Sequence, residues 1–424
     1  IKSTKKKLLS KMKIAIVGSG ISGNTIAHLL HKKHNITLFE KNDRIGGHSH
    51  THNIDVNGTS ISVDTGFIVF NKKTYPLFSS LLKELDVAYE DSSMSFSVFS
   101  KKNSLEYNGT NLNTLFSQRK NIFNPKFIKM IFEILRFNKE SLALIETSEE
   151  LSLGDYLAKN SYSDYFLKHY ILPMGSAIWS SKLETMSKFS AKFFVTFLHN
   201  HGMLNINNRP QWLTISNGSK SYVQKLCRPF IDNIRLNTDI NFIERKSNKV
   251  IVHSNHGSEN FDYIFMACHS TEALEILKDS SNNEKEILGA IPYTNNEVYL
   301  HTDSSIMPKY KLSWAAWNYN IDSEDNEPIT LTYNMNILQN IKIETPILVT
   351  LNPKGNIDPK KIIKKLSYEH PIFSIDSVNA QKKQHVISGI NRTFFAGAYW
   401  GNGFHEDGVK SAYDSVKQLN ELIT

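Results

Sequence analysis

The sequence predicts an α/β protein in which a domain with a parallel sheet is interrupted by an α+β domain containing an antiparallel sheet. Three observations predict this: a strand–turn–helix–strand pattern near the start, a run of alternating strands over residues 291–384, and a glycine-rich turn near the end. The chain has 424 residues, enough for two domains. Its 40% hydrophobic and 21% charged residues are typical of a globular protein.

The first element is the segment from Lys13 to Gly47. Residues 14–17 form a short apolar run, which predicts a buried parallel strand. Residues 24–32 have helical character, and residues 36–39 form a second strand that ends at an acid. This order of elements is typical of a Rossmann-like βαβ unit.

The turn between the first strand and the helix is Gly-Ser-Gly-Ile-Ser-Gly. Gly18 permits the tight bend, Gly20 lets backbone N–H groups approach a pyrophosphate, and Gly23 lets the helix pack on the strand. The N-terminus of the helix offers unpaired N–H groups to phosphates. Glu40 lies 20 residues after Gly20, where a carboxylate accepts hydrogen bonds from ribose hydroxyls. The segment therefore predicts a dinucleotide site.

Two motifs follow this unit: Arg44-Ile45-Gly46-Gly47 and Val63-Asp64-Thr65-Gly66. The glycine doublet resembles the extension found in FAD enzymes of the amine oxidase, phytoene desaturase and protoporphyrinogen oxidase superfamily. That resemblance implies an FAD-binding domain of the GR2 type, with the doublet and its arginine along the pyrophosphate and flavin. Further motifs that carry the resemblance, to a branch of predicted NAD/FAD-binding oxidoreductases, are VDTGFIVFN at 63–71, LPMGSAIWS at 172–180, RPQW at 209–212 and GAYWGNGFHEDG at 397–408.

The last of these motifs resembles the second FAD half-site of the superfamily. A strand leads to Gly397, a glycine-rich loop follows, and a helix is predicted from about Asp407. A helix N-terminus there stabilises negative charge on a reduced flavin. Many amine oxidases carry Asp or Glu directly after the matching glycine, to hold the ribityl chain. Here that residue is Ala398, so Glu406 or Asp407 is expected to make this contact.

The cofactor implied is FAD, and no metal site is expected. The expected FAD contacts, from the motifs and the resemblance together, are Gly18, Gly20, Ile21, Ser22, Gly23, Glu40, Lys41, Arg44, Gly46, Gly47, His48, Asp64, Thr65, Gly66, Ile240, Gly397, Ala398, His405, Glu406, Asp407, Gly408 and Val409. Ile240 is included because a strand predicted over 234–243, paired with 250–252, lies where relatives lend backbone contacts to the adenine.

The resemblance also implies the domain organisation. The FAD-binding domain is expected to comprise residues 12–71, 215–290 and 385–424, and the substrate domain residues 72–214 and 291–384. Strands at 298–302, 314–319, 329–333 and 347–350 are predicted to form an antiparallel sheet, which can be the floor of a pocket facing the flavin. The basic segment 1–11 is expected to be a disordered extension.

Residues 119–139 combine apolar side chains at helical spacing with six basic side chains. Such a helix can lie on a membrane surface, with its apolar residues inserted and its basic residues at the headgroups. It can equally be a core helix of the substrate domain with a solvated basic face. The sequence leaves both interpretations open.

Charge and cysteine content limit the partners. The net charge of +8 favours an anionic partner, such as a membrane surface or an acidic substrate, and no nucleic-acid-binding motif is present. Cys227 and Cys268 form no metal-ligand cluster and fit a reducing cytoplasm. No apolar run approaches the ~18 residues that span a bilayer. A cytoplasmic protein is the expectation, and peripheral contact with the inner face of the membrane is left open.

The function predicted is that of an FAD-dependent oxidoreductase that removes a hydride from a lipid or modified fatty-acyl chain, as in desaturation. Members of this branch often accompany fatty-acyl methyltransferases of the cyclopropane synthase type, which implies a lipid substrate and such a partner. Candidate catalytic residues are His405, His301 and Tyr399. Three alternatives remain: a flavin amine oxidase, a flavin-dependent double-bond isomerase, and a non-catalytic flavoprotein that presents acyl chains to the methyltransferase.

Overall fold

The computed structural model describes residues 11–148, 150–205, 207, 209–322 and 330–424. The expected disordered extension, residues 1–11, lies outside the described residues except for Lys11. The chain divides into two compact units. The first unit runs to Gly47 and resumes over Val223–Gly289 and Gln381–Thr424, and the second comprises His48–Tyr222 and Ala290–Ala380.

The described chain contains twenty strands and sixteen α-helices. The strands are β1 Lys13–Val17, β2 Asn35–Phe39, β3 Thr51–Val56, β4 Thr59–Asp64, β5 Val69–Phe70, β6 Tyr89–Ser92, β7 Phe96–Ser100, β8 Leu105–Asn108, β9 Trp212–Ile215, β10 Ile234–Arg235, β11 Ile240–Arg245, β12 Val250–Ser254, β13 Gly257–Phe261, β14 Tyr263–Met266, β15 Tyr293–His301, β16 Trp317–Asn320, β17 Thr330–Asn334, β18 Leu348–Leu351, β19 Ile362–Pro371 and β20 Thr393–Phe395. The helices are α1 Ile21–Leu30, α2 Pro76–Glu84, α3 Leu112–Leu115, α4 Pro125–Glu140, α5 Leu153–Lys159, α6 Asp164–Phe166, α7 Leu172–Trp179, α8 Leu183–Ser187, α9 Ala191–Asn200, α10 Lys220–Cys227, α11 Ser270–Ile276, α12 Asn282–Gly289, α13 Met335–Leu338, α14 Ile375–Gln381, α15 Gln384–Ile387 and α16 His405–Ile423.

A five-stranded parallel sheet, in the order β10-β2-β1-β14-β20, forms the centre of the first unit. Ile14 and Ile16 of β1 are fully buried, as expected for a parallel strand with both faces covered. Helix α1 packs on β1 and β2, and α16 packs on β20 and α1. The predicted strand–turn–helix–strand unit is confirmed, with the helix beginning at Ile21 rather than at residue 24.

The prediction of one continuous strand over residues 234–243 is wrong. Strand β10 lies in the parallel sheet, whereas β11 belongs to a separate antiparallel sheet, β11-β12-β13. Asn237 between them has a φ of 51°, a left-handed conformation that ends a strand. Its backbone N–H donates to the carbonyl oxygen of Asn42 at 3.0 Å. The N–H of Thr238 donates to the carbonyl oxygen of Glu40 at 2.9 Å.

The second unit contains a seven-stranded sheet in the order β19-β15-β18-β17-β16-β7-β8. Neighbouring strands are antiparallel except β16 and β7, which are parallel. The predicted antiparallel sheet is therefore confirmed, and β19 adds an edge strand that the sequence did not predict. The predicted strand over 329–333 begins at Thr330 within the described residues.

Residues 48–71 and 215–222 belong to the second unit, not to the first as the sequence boundaries have it. Strands β5 and β6 both pair with β9, which joins these stretches in one small sheet. The Asp64 carboxylate also accepts hydrogen bonds from the backbone N–H of Ser219 at 3.0 and 2.9 Å and from the Gln339 amide at 2.9 Å. The boundary therefore lies directly after the glycine doublet.

The basic, apolar segment over 119–139 forms a 3₁₀ turn, Arg119–Phe123, and then α4. Asn124 caps α4, because its side chain accepts hydrogen bonds from the N–H groups of Lys126 and Phe127 at 3.1 and 3.3 Å. Pro125 occupies the first helical position, where its missing N–H costs nothing. Within the described ranges, no helix is both long and apolar enough to cross a membrane.

Candidate cofactor site

Two glycine segments meet at the carboxyl end of β1. The N–H of Gly18 donates to the carbonyl oxygen of Phe39 at 2.8 Å, which ties the turn to the end of β2. The N–H of Gly46 donates to the carbonyl oxygen of Ser19 at 2.9 Å. The glycine doublet thus lies against the first turn, as the motifs predict.

The three glycines of the first turn differ in what surrounds them. Gly18 has a φ of 97°, and a Cβ there would lie 2.7 Å from the carbonyl oxygen of Ala267. A Cβ on Gly23 would lie 1.9 Å from the carbonyl oxygen of Gly18. Gly20 has an ordinary φ of −68°, and a Cβ on it would meet no atom within 4 Å. The fold itself needs Gly18 and Gly23, whereas the space beside Gly20 is free for a ligand.

Helix α1 begins at this space. No side chain caps its N-terminus, and its first turn carries no acidic residue. Such an end presents backbone N–H groups and a partial positive charge. The open cradle beside Gly20 and the uncapped helix end fit the pyrophosphate of FAD.

Glu40 at the end of β2 is buried beside the same turn. One carboxylate oxygen accepts hydrogen bonds from the Ser19 N–H at 3.0 Å and from its hydroxyl at 2.6 Å. The other accepts from the Asn42 N–H at 2.9 Å and from its side-chain amide at 2.7 Å. A carboxylate offers about four acceptor sites, so a ribose hydroxyl would replace the Ser19 hydroxyl or the Asn42 amide. Ser19 lies within the motif, yet its bond to Glu40 was not predicted.

The second half-site touches the first directly. The Ser22 hydroxyl of α1 donates to the carbonyl oxygen of Gly408 in α16 at 3.0 Å. A Cβ on Gly408 would lie 2.7 Å from Cγ2 of Ile21. The first turns of α1 and α16 are therefore adjacent, and Val409 is buried beneath them. The structure brings these predicted contacts together.

The loop that leads into α16 is held by residues outside the motifs. The Ser411 hydroxyl accepts a hydrogen bond from the Gly397 N–H at 2.9 Å. The Gln381 amide donates to the carbonyl oxygens of Tyr399 and Gly401 at 2.7 and 2.6 Å. Neither Gln381 nor Ser411 was predicted, because their partners are backbone atoms that the sequence does not mark.

Asp407 is bound to its own loop. Its carboxylate accepts the Phe404 N–H at 2.9 Å and so closes the first turn of α16. Burial raises the pKa of Asp407 to about 6. Since Asp407 is used in this way, the ribityl contact expected next to Ala398 stays a prediction, with Glu406 as the favoured candidate.

Three other predicted contacts of the first unit lie around the turn. Lys41 is exposed and forms an ion pair with Glu272 of α11, so its charge is paired within the protein rather than directed to a ligand. Arg44 is half-buried two residues before Gly46. Ile240 begins β11 and pairs with Ser254, and its adenine contact stays a prediction.

His48, Asp64, Thr65 and Gly66 lie together in the second unit. A Cβ on Gly66 would lie 2.2 Å from the carbonyl oxygen of His48, so the turn after β4 packs on the residue that follows the doublet. The Thr65 hydroxyl lies 2.7 Å from the Tyr368 hydroxyl. The Thr51 hydroxyl, together with Ser219 and Gln339, hydrogen-bonds Asp64, and this argues for a structural role. Burial raises the pKa of Asp64 to about 6.

The structure does not favour His301 as a catalytic base. Its Nδ1 accepts the Asp303 N–H at 3.0 Å, so Nε2 carries the proton and donates to the Thr350 hydroxyl at 2.8 Å. The side chain is fully buried in β15, and burial lowers its pKa to about 4. Both ring nitrogens are thus used within the sheet.

The two remaining catalytic candidates lie in the first unit. His405 is the first residue of α16, and burial lowers its pKa to about 3. Its ring stays neutral at physiological pH and is a weak base. Tyr399 is buried with its ring over Gly397, where an added Cβ would lie 2.2 Å from the ring, and burial holds its pKa well above the usual range. Both roles stay predictions.

The buried His405 makes a pH-dependent contribution to stability. Its pKa falls from 6.5 to about 3 on folding, so acid protonates the unfolded chain first and favours unfolding below pH 6.5. Between pH 7.5 and pH 5, His405 should cost the wild type about 2 kcal/mol of its free energy of unfolding. We expect the His405→Phe variant to lose about 2 kcal/mol less than the wild type over the same range. Urea unfolding at both pH values measures this difference. Equal losses of stability in the two proteins would show that folding does not lower the pKa of His405.

A family model described as "Flavin containing amine oxidoreductase" matches residues 22–337. The chain belongs to this family. The matched stretch begins within α1 and includes the doublet, the turn after β4 and most of the seven-stranded sheet. A comparison with curated proteins found no match to this chain.

Solved structures share the fold at low identity. Cyclohexylamine oxidase from Brevibacterium oxydans IH-35A is 13% identical, with a TM-score of 0.71 over 98% of this chain and 100% of that chain. A fatty acid isomerase from P. acnes, described as producing CLA, is 14% identical, with a TM-score of 0.68 over 96% and 98%. Wild-type putrescine oxidase bound to putrescine is 11% identical, with a TM-score of 0.68 over 98% and 99%.

The family match and the open space beside Gly20 both indicate FAD as the cofactor. This flavin amine oxidoreductase is an FAD-dependent oxidoreductase. Gly20 and the N-termini of α1 and α16 would hold the dinucleotide, and Glu40 would reach its ribose. When bound, FAD supplies a two-electron acceptor for a hydride. The protein's own residues bind, orient and exclude water.

Proposed function

We propose that this flavoenzyme dehydrogenates the acyl chain of a lipid. The observation that carries the proposal is one face of the seven-stranded sheet in the second unit. Strands β7, β16, β17, β18 and β15 are in register over two rows of residues, and all ten side chains on that face are apolar or aromatic. They are Phe96, Val98, Val298, Leu300, Trp317, Tyr319, Leu331, Tyr333, Val349 and Leu351.

The opposite face of the same strands is polar and internally bonded. The Asn318 amide donates to the carbonyl oxygen of Thr332 at 3.1 Å, and the hydroxyls of Thr332 and Thr350 lie 2.9 Å apart. His301 extends this row of polar contacts, because its Nε2 lies 2.8 Å from the Thr350 hydroxyl. Polar side chains are thus absent from the apolar face over these two rows. Seven of its ten side chains are at most 3% exposed, and the half-buried Phe96, Trp317 and Tyr333 form the end of the face that a ligand can reach.

An ammonium substrate needs a carboxylate or a cage of aromatic rings. The ten residues of the apolar face include no charged side chain. Trp317 and Tyr333 are half-buried and meet edge to face, with ring centroids 5.1 Å apart. The half-buried end of the face, at Phe96, Trp317 and Tyr333, suits a hydrocarbon chain, which gains free energy when it leaves water.

Dehydrogenation of an acyl chain breaks two C–H bonds on adjacent carbons. One hydrogen would leave as a hydride, with two electrons, to the flavin, and the other would leave as a proton to water. The electron pair of the second bond then forms the carbon–carbon double bond. Oxygen or an electron carrier would reoxidise the flavin. Among relatives of the same fold, one is described as a fatty acid isomerase and two as amine oxidases, so the fold alone does not decide.

The test is anaerobic mixing of the purified holoprotein with phospholipid that carries methyl-branched acyl chains, the product class of the proposed methyltransferase partner. We expect bleaching of the flavin band and a loss of two hydrogens from the acyl chain. A shifted double bond without bleaching would indicate the isomerase, and bleaching by amines alone the amine oxidase. A flavin that no substrate reduces would support the non-catalytic role.

Two variants test the apolar face. We expect Trp317→Glu to slow lipid-dependent bleaching at least about tenfold, because a carboxylate there opposes a hydrocarbon ligand. Tyr299→Glu is the matched control, since Tyr299 is also half-buried but lies on the opposite face of β15. Flavin content and thermal unfolding are measured for both. Equal loss of rate in the two variants would contradict the assignment of this face.

A further inference from the structure

Apolar side chains are exposed along α4 and the turn before it. Phe123 is 87% exposed and Phe132 66%, with Ile122 and Leu135 nearly half exposed. Exposed aromatic residues grouped in this way are uncommon on a soluble surface and indicate an interaction site. With the four lysines Lys120, Lys126, Lys129 and Lys139, these residues are named the α4 surface.

Helix α4, which carries the α4 surface, is firmly packed on the second unit through its other side. On the opposite side of α4, Phe127, Met130 and Phe137 are fully buried. Glu133 on that side is also buried, and it accepts hydrogen bonds from the Ser163 N–H at 2.9 Å and from its hydroxyl at 2.5 Å. Since the inward side is filled and bonded, Phe132 cannot turn inward without unpacking the helix. The helix therefore has two apolar sides, only one of which packs on the unit.

The charge around the exposed apolar residues is positive. Residues 112–140 carry six basic side chains and two carboxylates. Glu133 faces inward, and Glu140, at the end of the helix, lies 3.7 Å from Arg136. Among described residues, no acidic side chain forms an ion pair with the four lysines of the α4 surface. An anionic partner would therefore meet unneutralised positive charge.

A cavity opens beside the helix on the same surface. Its volume is about 710 Å³, and Ile122, Phe123, Ile128 and Phe132 supply apolar walls. Lys129, Arg136 and the buried Glu133 also line it. The Glu133 carboxylate is bound to Ser163, so apolar walls beside two cationic side chains remain to fit an acyl chain that carries a phosphate headgroup.

We propose that the α4 surface docks on a membrane that contains anionic phospholipid. Phe123 and Phe132 would enter the boundary between headgroups and acyl chains, as apolar residues of interfacial helices do. Lys126 and Lys129 would remain at the phosphate level, with their stems along the apolar layer. The combination of bare aromatic rings with unneutralised lysines favours a lipid surface over a protein partner. This docking goes beyond the proposed function, because it does not depend on which molecule is oxidised.

Sedimentation of the holoprotein with vesicles tests the docking without turnover. The vesicles are phosphatidylcholine alone or an equimolar mixture with phosphatidylglycerol. We expect binding to the mixed vesicles that salt weakens, and at least tenfold weaker binding to phosphatidylcholine. Binding that is absent or independent of vesicle charge would overturn the proposal.

Paired variants separate the apolar and the charged contributions. We expect Phe123→Ala with Phe132→Ala, and separately Lys126→Glu with Lys129→Glu, each to weaken binding to mixed vesicles at least tenfold. The controls are Ile390→Ala with Leu422→Ala, which are apolar residues of the first unit that are more than half exposed, and Lys32→Glu with Lys33→Glu. Equal effects in variants and controls would overturn the proposal. So would a wild type that forms dimers without lipid and loses them in the phenylalanine variant.

Discussion

Gly20→Val is expected to abolish FAD binding while leaving the apoprotein folded. The new side chain meets no protein atom at its Cβ and sits on backbone that any residue adopts, so the fold does not oppose it. It fills the space that the pyrophosphate requires above the end of α1. We expect FAD affinity to fall at least about 100-fold, or about 3 kcal/mol, with apoprotein stability within about 1 kcal/mol of wild type. Flavin absorbance and urea unfolding measure the two quantities.

Gly23→Ala is the matched comparison within the same turn. Its Cβ would lie 1.9 Å from a backbone oxygen of Gly18, so the turn itself must move. We expect this variant to lose apoprotein stability by about 1–3 kcal/mol together with its flavin. A Gly20→Val protein that purifies with a full flavin band would show that the pyrophosphate does not occupy this cradle.

Glu284→Gln is expected to be the most destabilising single change in the first unit. Arg245 of β11 is buried and donates to both carboxylate oxygens of Glu284, at 2.5 and 2.9 Å. Removing the negative charge leaves the buried guanidinium with only the partly exposed Asp279 as a counter-ion, which costs about 3 kcal/mol. Urea unfolding followed by circular dichroism measures the loss.

Asp279 provides the control, since it also accepts a hydrogen bond from Arg245, at 2.9 Å, but its side chain is 40% exposed. We expect Asp279→Asn to cost about 1 kcal/mol, because solvent screens the pair. Similar losses for the two variants would mean that water reaches both carboxylates. Because β11 follows the turn at Asn237 that bonds to Asn42, we expect weaker FAD retention in Glu284→Gln as well.

The parallel sheet and both half-sites could be predicted because their chemistry is local. A buried strand, a glycine turn and an acid follow each other directly between Lys13 and Glu40, and each residue type has its own physical requirement. Strand β19 was missed for the opposite reason. It lies at the edge of its sheet and carries exposed Lys364 and Lys365, so it lacks the apolar alternation of a central strand.

Helix α4 shows where periodicity stops being informative. Phe127, Phe137, Phe132 and Leu135 are all apolar at helical spacing, and the sequence does not say which of the two sets packs inward. The structure buries Phe127 and Phe137 and exposes the other two. The buried side is that of a core helix, the solvated side is mixed rather than purely basic, and contact with a membrane stays a proposal.

Bonds between side chains and distant backbone atoms could not be predicted at all. Gln381 supports the loop at Tyr399 and Gly401 only because the fold brings two carbonyl oxygens within its reach. Asn237 breaks a strand that composition favours, since its N–H finds an acceptor at Asn42. These contacts depend on the tertiary structure, and no residue type marks them in advance.

The first unit is assembled from three separate stretches of chain, and this sets an order of events during synthesis. Strands β1 and β2 are synthesised before residues 48–222, while β20 and α16 are synthesised only after residue 380. Until then β14 is an open sheet edge, and Ile21 lacks the glycine of α16 that packs against it. The nascent chain therefore cannot recruit its flavin. The cofactor site is therefore completed only once α16 has been synthesised, and until then the edge of β14 is exposed to other chains.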